Sequence, residues 1–176
     1  AWLTLASFVG YAFIYTGYLK HATPQNIVIG GLSGAMPPLL GWSAVTGTIE
    51  PDALVLVLII FAWTPPHFWA LAIHRKDEYA KSGVPMLPVT HGEFVTKVHI
   101  IVYTVMLVIV SVFPYLSGMS GLLYLVSALV LGFGFLAWSG LLMFKPKPTT
   151  AMDTFKYSIV YLTVLFVALV ADHYLF

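Results

Sequence analysis

The densest chemistry in this 176-residue chain lies between Trp63 and Gly92, where Arg75, Lys76, Asp77, Glu78 and Lys81 bring five of its fifteen charged side chains into seven positions. Asp77 and Glu78 offer hard carboxylate oxygens of the kind Mg²⁺ takes, and Mg²⁺ is usually held by one or two carboxylates together with substrate phosphates. Arg75, Lys76 and Lys81 would then face phosphate oxygens. Such a set neutralises a diphosphate and makes it a better leaving group. The alternative is an ordinary basic loop, whose surface ion pairs are worth only ~0 to 1 kcal/mol each, and spacing alone does not separate the two.

The elements that must position these groups are membrane helices. Sixty per cent of the residues are apolar and only 9% are charged, too few to build a water-facing surface. The apolar residues fall into stretches of roughly 17 to 23, the length a helix needs to cross a ~30 Å hydrocarbon core. The spans run from Ala1 to Tyr18, Asn26 to Thr46, Asp52 to Ile73, Lys97 to Phe113, Gly121 to Phe144 and Thr154 to Tyr174. The expected fold is therefore all-α: one multi-pass transmembrane helical bundle occupying residues 1–176, with about six helices. A net charge of +1 gives no handle for nucleic acid, and the absence of cysteine excludes disulfides, iron-sulfur clusters and thiolate nucleophiles.

Basic residues alternate between loops. Lys20, then Arg75, Lys76, Lys81 and Lys97, then Lys145, Lys147 and Lys156 occupy every second connection, and the intervening ones have none. Retention of basic residues inside places the loops at 20, 75–97 and 145–156 in the cytoplasm, with Ala1 and Phe176 outside.

Within the spans, Pro37-Pro38 and Pro65-Pro66 each remove two amide donors and free carbonyls a turn earlier, so bent helices facing the bundle interior are expected. The run Gly30-Gly31-Leu32-Ser33-Gly34-Ala35 suits close backbone packing; it lacks the Lys-Ser/Thr of a phosphate loop. His67 lies inside a span, where an unpartnered ionisable group is costly, and so is a functional candidate. His67 and His74 share a helix face but sit ~10 Å apart along the axis, too far to ligate one iron together. His21, His99 and His173 read as interfacial, with structural roles. Trp63, Phe68 and Trp69 flank the second proline pair and could line a cavity whose aromatic faces stabilise a cation. Most of the other aromatic residues form an interfacial belt.

Several motifs together resemble the protohaem IX farnesyltransferases, haem O synthases of the UbiA prenyltransferase superfamily. They are Trp63-Thr-Pro-Pro-His67-Phe, Asp77-Glu-Tyr79, Gly83-Val-Pro85-Met-Leu-Pro88-Val-Thr-His91-Gly92, Asn26-Ile-Val-Ile-Gly-Gly31, and Gly34-Ala-Met-Pro-Pro38 with Gly41-Trp42. The resemblance implies transfer of a farnesyl group from farnesyl diphosphate to a vinyl group of haem B, with water supplying a hydroxyl and Mg²⁺ assisting diphosphate departure. Haem B is then substrate, not prosthetic group. It also implies a bacterial inner membrane, and contact with haem A synthase or oxidase assembly proteins.

Asp77, Glu78 and Tyr79 match the region of the second of two acidic motifs that hold the metal-diphosphate. On that basis Asp77, Glu78 and Lys81 are expected to be catalytic, with Asp77 and Glu78 as metal ligands. Arg75, Tyr79, His67, Asn26, Trp63, Phe68, Trp69, His74 and Lys20 are expected to bind substrate. Asp77-Glu-Tyr-Ala-Lys81 ends in lysine where a full Asp-x-x-x-Asp would end in a carboxylate, which leaves open which of Asp77 and Glu78 reaches the metal. The family has about nine spans, so three further helices and the first acidic motif are expected before Ala1, and this stretch alone is not expected to be active. A relative that prenylates a quinone precursor or a chlorophyll-type pigment is the rival enzyme. A haem-binding or transport subunit is the non-enzymatic one.

Overall fold

The computed structural model describes residues 2–10, 12–13 and 23–175. Among them every regular element is a helix: α1 (Trp2–Val9), α2 (Asn26–Gly34), α3 (Pro37–Thr46), α4 (Pro51–His74), α5 (Lys76–Lys81), α6 (Leu87–Thr90), α7 (Gly92–Val110), α8 (Phe113–Leu116), α9 (Leu122–Phe144) and α10 (Thr150–Leu175). Five stretches are long and apolar enough to cross a membrane: 26–46, 51–74, 92–116, 122–144 and 150–175. Of the expected first span, Trp2–Val9 is helical and most of the remainder lies outside the described residues, as do Lys20, His21, Ala1 and Phe176.

Two helix starts differ from the sequence expectation. The third of these spans begins at Gly92 instead of Lys97 and the fifth at Thr150 instead of Thr154. In each case the first turn is polar, carrying Glu93 or Asp153 at the positive end of the helix dipole. Hydropathy hides such turns.

The two proline pairs act differently. At Pro37-Pro38 the helix breaks instead of bending: α2 ends at Gly34, and both prolines occupy the first positions of α3, where a missing amide costs nothing. The Ala35 amide donates to the Gly31 carbonyl at 2.9 Å and the Met36 amide to the Ser33 carbonyl at 3.4 Å, closing the end of α2. At Pro65-Pro66, α4 runs on as one helix, with Thr64, Pro65, Pro66 and His67 all buried in the bundle, as the cost of freed carbonyls in lipid requires.

Helix α4 is the hub. More than half of its apolar stretch is buried, against a third or less in the other four spans. It packs on α2, α3, α7 and α10, while α9 closes the circuit between α7 and α10. Small residues permit the closest approaches: a Cβ at Gly132 would come within 2.8 Å of Val108 on α7, and one at Gly134 would overlap the Tyr157 hydroxyl on α10. Without a hydrophobic driving force between helices in lipid, such close packing and interhelical hydrogen bonds supply the cohesion. Ser111 and Tyr161 are joined by one such bond at 2.7 Å, and Thr104 and Ser139 by another at 3.3 Å.

One end of α9 is capped from a different helix. Gly121, which precedes it, offers no side-chain cap. Asp172 of α10 accepts the Ser120 hydroxyl at 2.7 Å, the Gly121 amide, and the Tyr124 amide at 3.2 Å. A carboxylate there satisfies orphan amides and opposes the positive end of the helix dipole. Replacing Asp172 by Ala is expected to lower the thermal midpoint in detergent by several degrees, and Asp172→Asn by less because the amide oxygen still accepts. Equal midpoints for wild type and Asp172→Ala would remove the cap from the account.

Candidate functional site at the end of the central helix

The bundle has two chemically distinct ends. The end bearing the 75–91 and 145–149 connections gathers Arg75, Lys76, Lys81, Lys97, Lys145, Lys147 and Lys156, with Asp77, Glu78, Glu93 and Asp153. Among the described residues the opposite end has Glu50, Asp52, Asp172 and His173 and no lysine or arginine. An anionic ligand is attracted to the first end and repelled from the second.

The connection from His74 to Gly92 splits into two halves. The polar half is short helix α5, on which Asp77, Glu78 and Lys81 are exposed and Tyr79 is half-buried, with His74 and Arg75 exposed just before it. The second half is apolar and docked: Met86, Leu87 and Pro88 are buried, and the first two pack with Ile27, Trp69, Ala70, Ile100, Leu142 and Ala151. Gly83, at φ +69°, supplies the left-handed turn between the halves. This is therefore a loop whose apolar half plugs the bundle end and holds α5 over it.

On α5 the charges are unequally engaged. Arg75 lies 3.8 Å from Glu78, whereas Asp77 and Lys81, one turn apart on the same face, make no ion pair among the described residues. Behind them Glu93 of α7 accepts Lys76 at 3.4 Å and Lys97 at 3.6 Å. Glu93 is a residue the sequence did not single out, because its partners lie on two helices. Among the described residues no three His, Asp or Glu side chains converge into a complete metal cage. The carboxylates present suit a metal that takes most of its ligands from substrate and water.

Below this end, α2 and α4 enclose a cavity of about 260 Å³. Gly30, Gly31 and Gly34 form one wall, and Ile60, Trp63, Thr64 and Phe68 the other. Gly31 is the contact point: a Cβ there would meet the Thr64 methyl at 3.0 Å, whereas one at Gly34 would meet nothing within 4 Å. A larger cavity of about 520 Å³ opens among Trp42, Asp52, Leu56, Met119, His173 and Tyr174 at the opposite end, where the described residues include no lysine or arginine.

His67 and Trp63 meet α10. The His67 ring is stacked between Trp63, at 4.1 Å between centroids, and Phe155, at 4.6 Å, with Phe68 edge-on at 5.1 Å. Its Nδ1 is 2.6 Å from the Ser158 hydroxyl, and the Trp63 indole donates to the Ser158 carbonyl at 2.8 Å. Trp69 is a correction: it is fully enclosed, edge-on to His99 and Tyr103 on α7. Six residues from Trp63, it projects from the far side of α4 and does not reach the cavity. Asn26, at the start of α2, is buried beside the plugged bundle end. The sequence pattern thus brings Trp63 and Phe68 to one cavity, and Arg75, Asp77, Glu78 and Lys81 to one exposed turn.

Comparison with known proteins places the chain in a family. Residues 1–170 match the model of the UbiA prenyltransferase family. The chain is 65% identical over 175 residues to a protoheme IX farnesyltransferase of Hahella chejuensis, and 68% identical over 175 residues to one of Ectopseudomonas mendocina. Each alignment covers 99% of this chain and 58% of the relative. A digeranylgeranylglyceryl phosphate synthase of known structure superposes with a TM-score of 0.83 at 21% identity, over 97% of this chain and 61% of that one, a likeness of fold.

The geometry separates two neighbouring glycines. Gly31→Ala is expected to push α2 from α4 and lower the thermal midpoint measurably, while Gly34→Ala leaves it within a degree or two. Equal effects would mean that Gly31 is not the contact that closes this wall.

Proposed function

Because the chain belongs to the UbiA prenyltransferase family, we propose that it forms part of an intramembrane site transferring a farnesyl group from farnesyl diphosphate to a vinyl group of haem B, giving haem O. The chain spans about 58% of the length of the curated relatives it matches. The observation that carries the reading is the single helix α4: it walls an apolar cavity with Trp63 and Phe68 and ends at the turn bearing Arg75, Asp77, Glu78 and Lys81.

Farnesyl diphosphate is an amphiphile with an anionic head and a long apolar tail. The basic end of the bundle suits the head, and the cavity between α2 and α4 suits the tail. Asp77, without an ion pair among the described residues, and Glu78, shared with Arg75, would hold Mg²⁺, which UbiA prenyltransferases generally use with diphosphate substrates. Of the two, Asp77 is the better candidate for direct contact because no cation among the described residues engages it. The metal supplies neutralisation of the diphosphate as it leaves. Lys81 and Arg75 stabilise the same departing charge.

Departure breaks the farnesyl carbon–oxygen bond and leaves an allylic cation. The faces of Trp63 and Phe68 stabilise that cation, and apolar walls keep water from quenching it early. A carbon–carbon bond then forms to one vinyl carbon, and water adds its oxygen to the other while releasing a proton. The positive-inside rule orients the charged end to the cytoplasm.

Asp77→Asn and Glu78→Gln, each made in a full-length protein containing this chain, are expected to cut haem O formation by about tenfold or more, with the larger loss at Asp77. Unchanged turnover in both would take these residues out of the metal site. A prenylated aromatic acid in place of farnesylated haem would overturn the choice of acceptor.

A further inference from the structure

The cavity between α2 and α4 has a definite depth. The two helices run antiparallel: Ile27 shares a packed cluster with Trp69, Gly31 meets Thr64, and Ala35 packs with Ala53 and Val57. Ala35 and Ala53 are fully buried, so the helices close on each other just beyond Gly34 and the cavity ends there on the α2 side. Ile60 lines the same level on α4. It lies fourteen residues before His74, the last residue of the helix, and so about 21 Å along the axis from the charged turn.

On the α10 side, space continues past this level. Ile60 also lines a groove of about 240 Å³ with Leu162, Thr163 and Phe166, and Thr163 and Phe166 line a further groove along α10 with Val167 and Val170. Ile60 belongs to the linings of both the cavity and the first groove, so its half-buried side chain stands between the two spaces. A diphosphate and each extended isoprene unit both span about 5 Å at ordinary bond lengths. A head at the turn followed by three units therefore reaches roughly 20 Å, level with Ile60, and a fourth unit would have to pass it.

We infer that Ile60 determines chain-length specificity, its side chain forming the floor that admits three isoprene units and turns away a fourth. The inference rests on the farnesyl-transfer reading above and adds to it the residue that selects the prenyl diphosphate. Burial alone favours longer tails, because each added unit removes more apolar surface from water. Rejecting a longer tail therefore needs a steric stop. Gly34 stands at the same depth on the opposite wall, and a Cβ there meets nothing within 4 Å, so a side chain at this position fills the bottom of the cavity and raises the floor.

The test uses the full-length protein in detergent with haem B and geranyl, farnesyl or geranylgeranyl diphosphate, and reads the ratios of kcat/KM among the three for prenylated haem formed. A variant that is merely less stable loses all three activities alike and keeps the ratios. Wild type is expected to favour farnesyl over geranylgeranyl diphosphate by about tenfold or more, and Ile60→Ala to erase most of that preference. Gly34→Leu should shift the ratio of geranyl to farnesyl use upward by about tenfold. Equal use of farnesyl and geranylgeranyl diphosphate by wild type, or a wild-type ratio in Ile60→Ala, would overturn the floor while sparing the transfer reading. Where Ile60→Ala does not accumulate, Gly34→Leu decides, and a wild-type ratio of geranyl to farnesyl use would overturn the inference. A wild type that prenylates no haem would overturn both.

Discussion

Two adjacent prolines in the middle of the most buried helix impose the constraint on which the rest of the bundle depends. Pro65 and Pro66 remove two backbone donors from α4, and in a medium without water the affected turn must be enclosed by protein. Thr64 turns its hydroxyl back to the Ile60 carbonyl at 2.8 Å, tying the turn above the prolines to its own backbone. Trp63 and His67, on either side of the pair, both reach across to Ser158 of α10. The interhelical contact and the candidate site are thus the same few residues, and no lipid-facing position for this turn is compatible with them.

A second asymmetry follows from chain order. Each connection at one end has basic residues, and the opposite end keeps carboxylates, two of which have structural work. Asp172 caps α9, and Glu50 accepts the Trp42 indole at 3.1 Å and the Thr48 hydroxyl at 2.9 Å. The apolar half of the 74–92 connection is then decisive, because Met86 and Leu87 anchor the loop in the bundle end. That anchoring keeps α5 at the top of α4 instead of letting it wander over the headgroup region.

Five of the six expected spans were legible in the sequence because length and apolarity are local properties, and most of the first lies outside the described residues. The exposed charged turn at 75–81 was legible because its charges are contiguous. What escaped was set by pairs of residues far apart in the chain. Ser158 lies 91 positions from His67 and Asp172 lies 51 from Gly121, and neither partner signals the other. Trp69 looked like a cavity residue because it neighbours Trp63 and Phe68 in sequence. Which side of α4 faces α2 and which faces α7 depends on tertiary packing, and that put Trp69 against His99 and Tyr103. The break at Ala35-Met36 was expected as a bend, since sequence specifies the missing donors but not whether the chain continues the helix or restarts it.

The central claim is that one helix joins an intramembrane prenyl cavity to a charged diphosphate turn. Photocrosslinking with two farnesyl diphosphate analogues, one reactive at the diphosphate and one at the far end of the chain, tests it most directly. The account predicts that the first labels residues 75–81 and the second labels Gly34, Trp63 or Phe68. Labelling by the tail-end analogue confined to the opposite cavity, around Trp42 and Leu169, would contradict it.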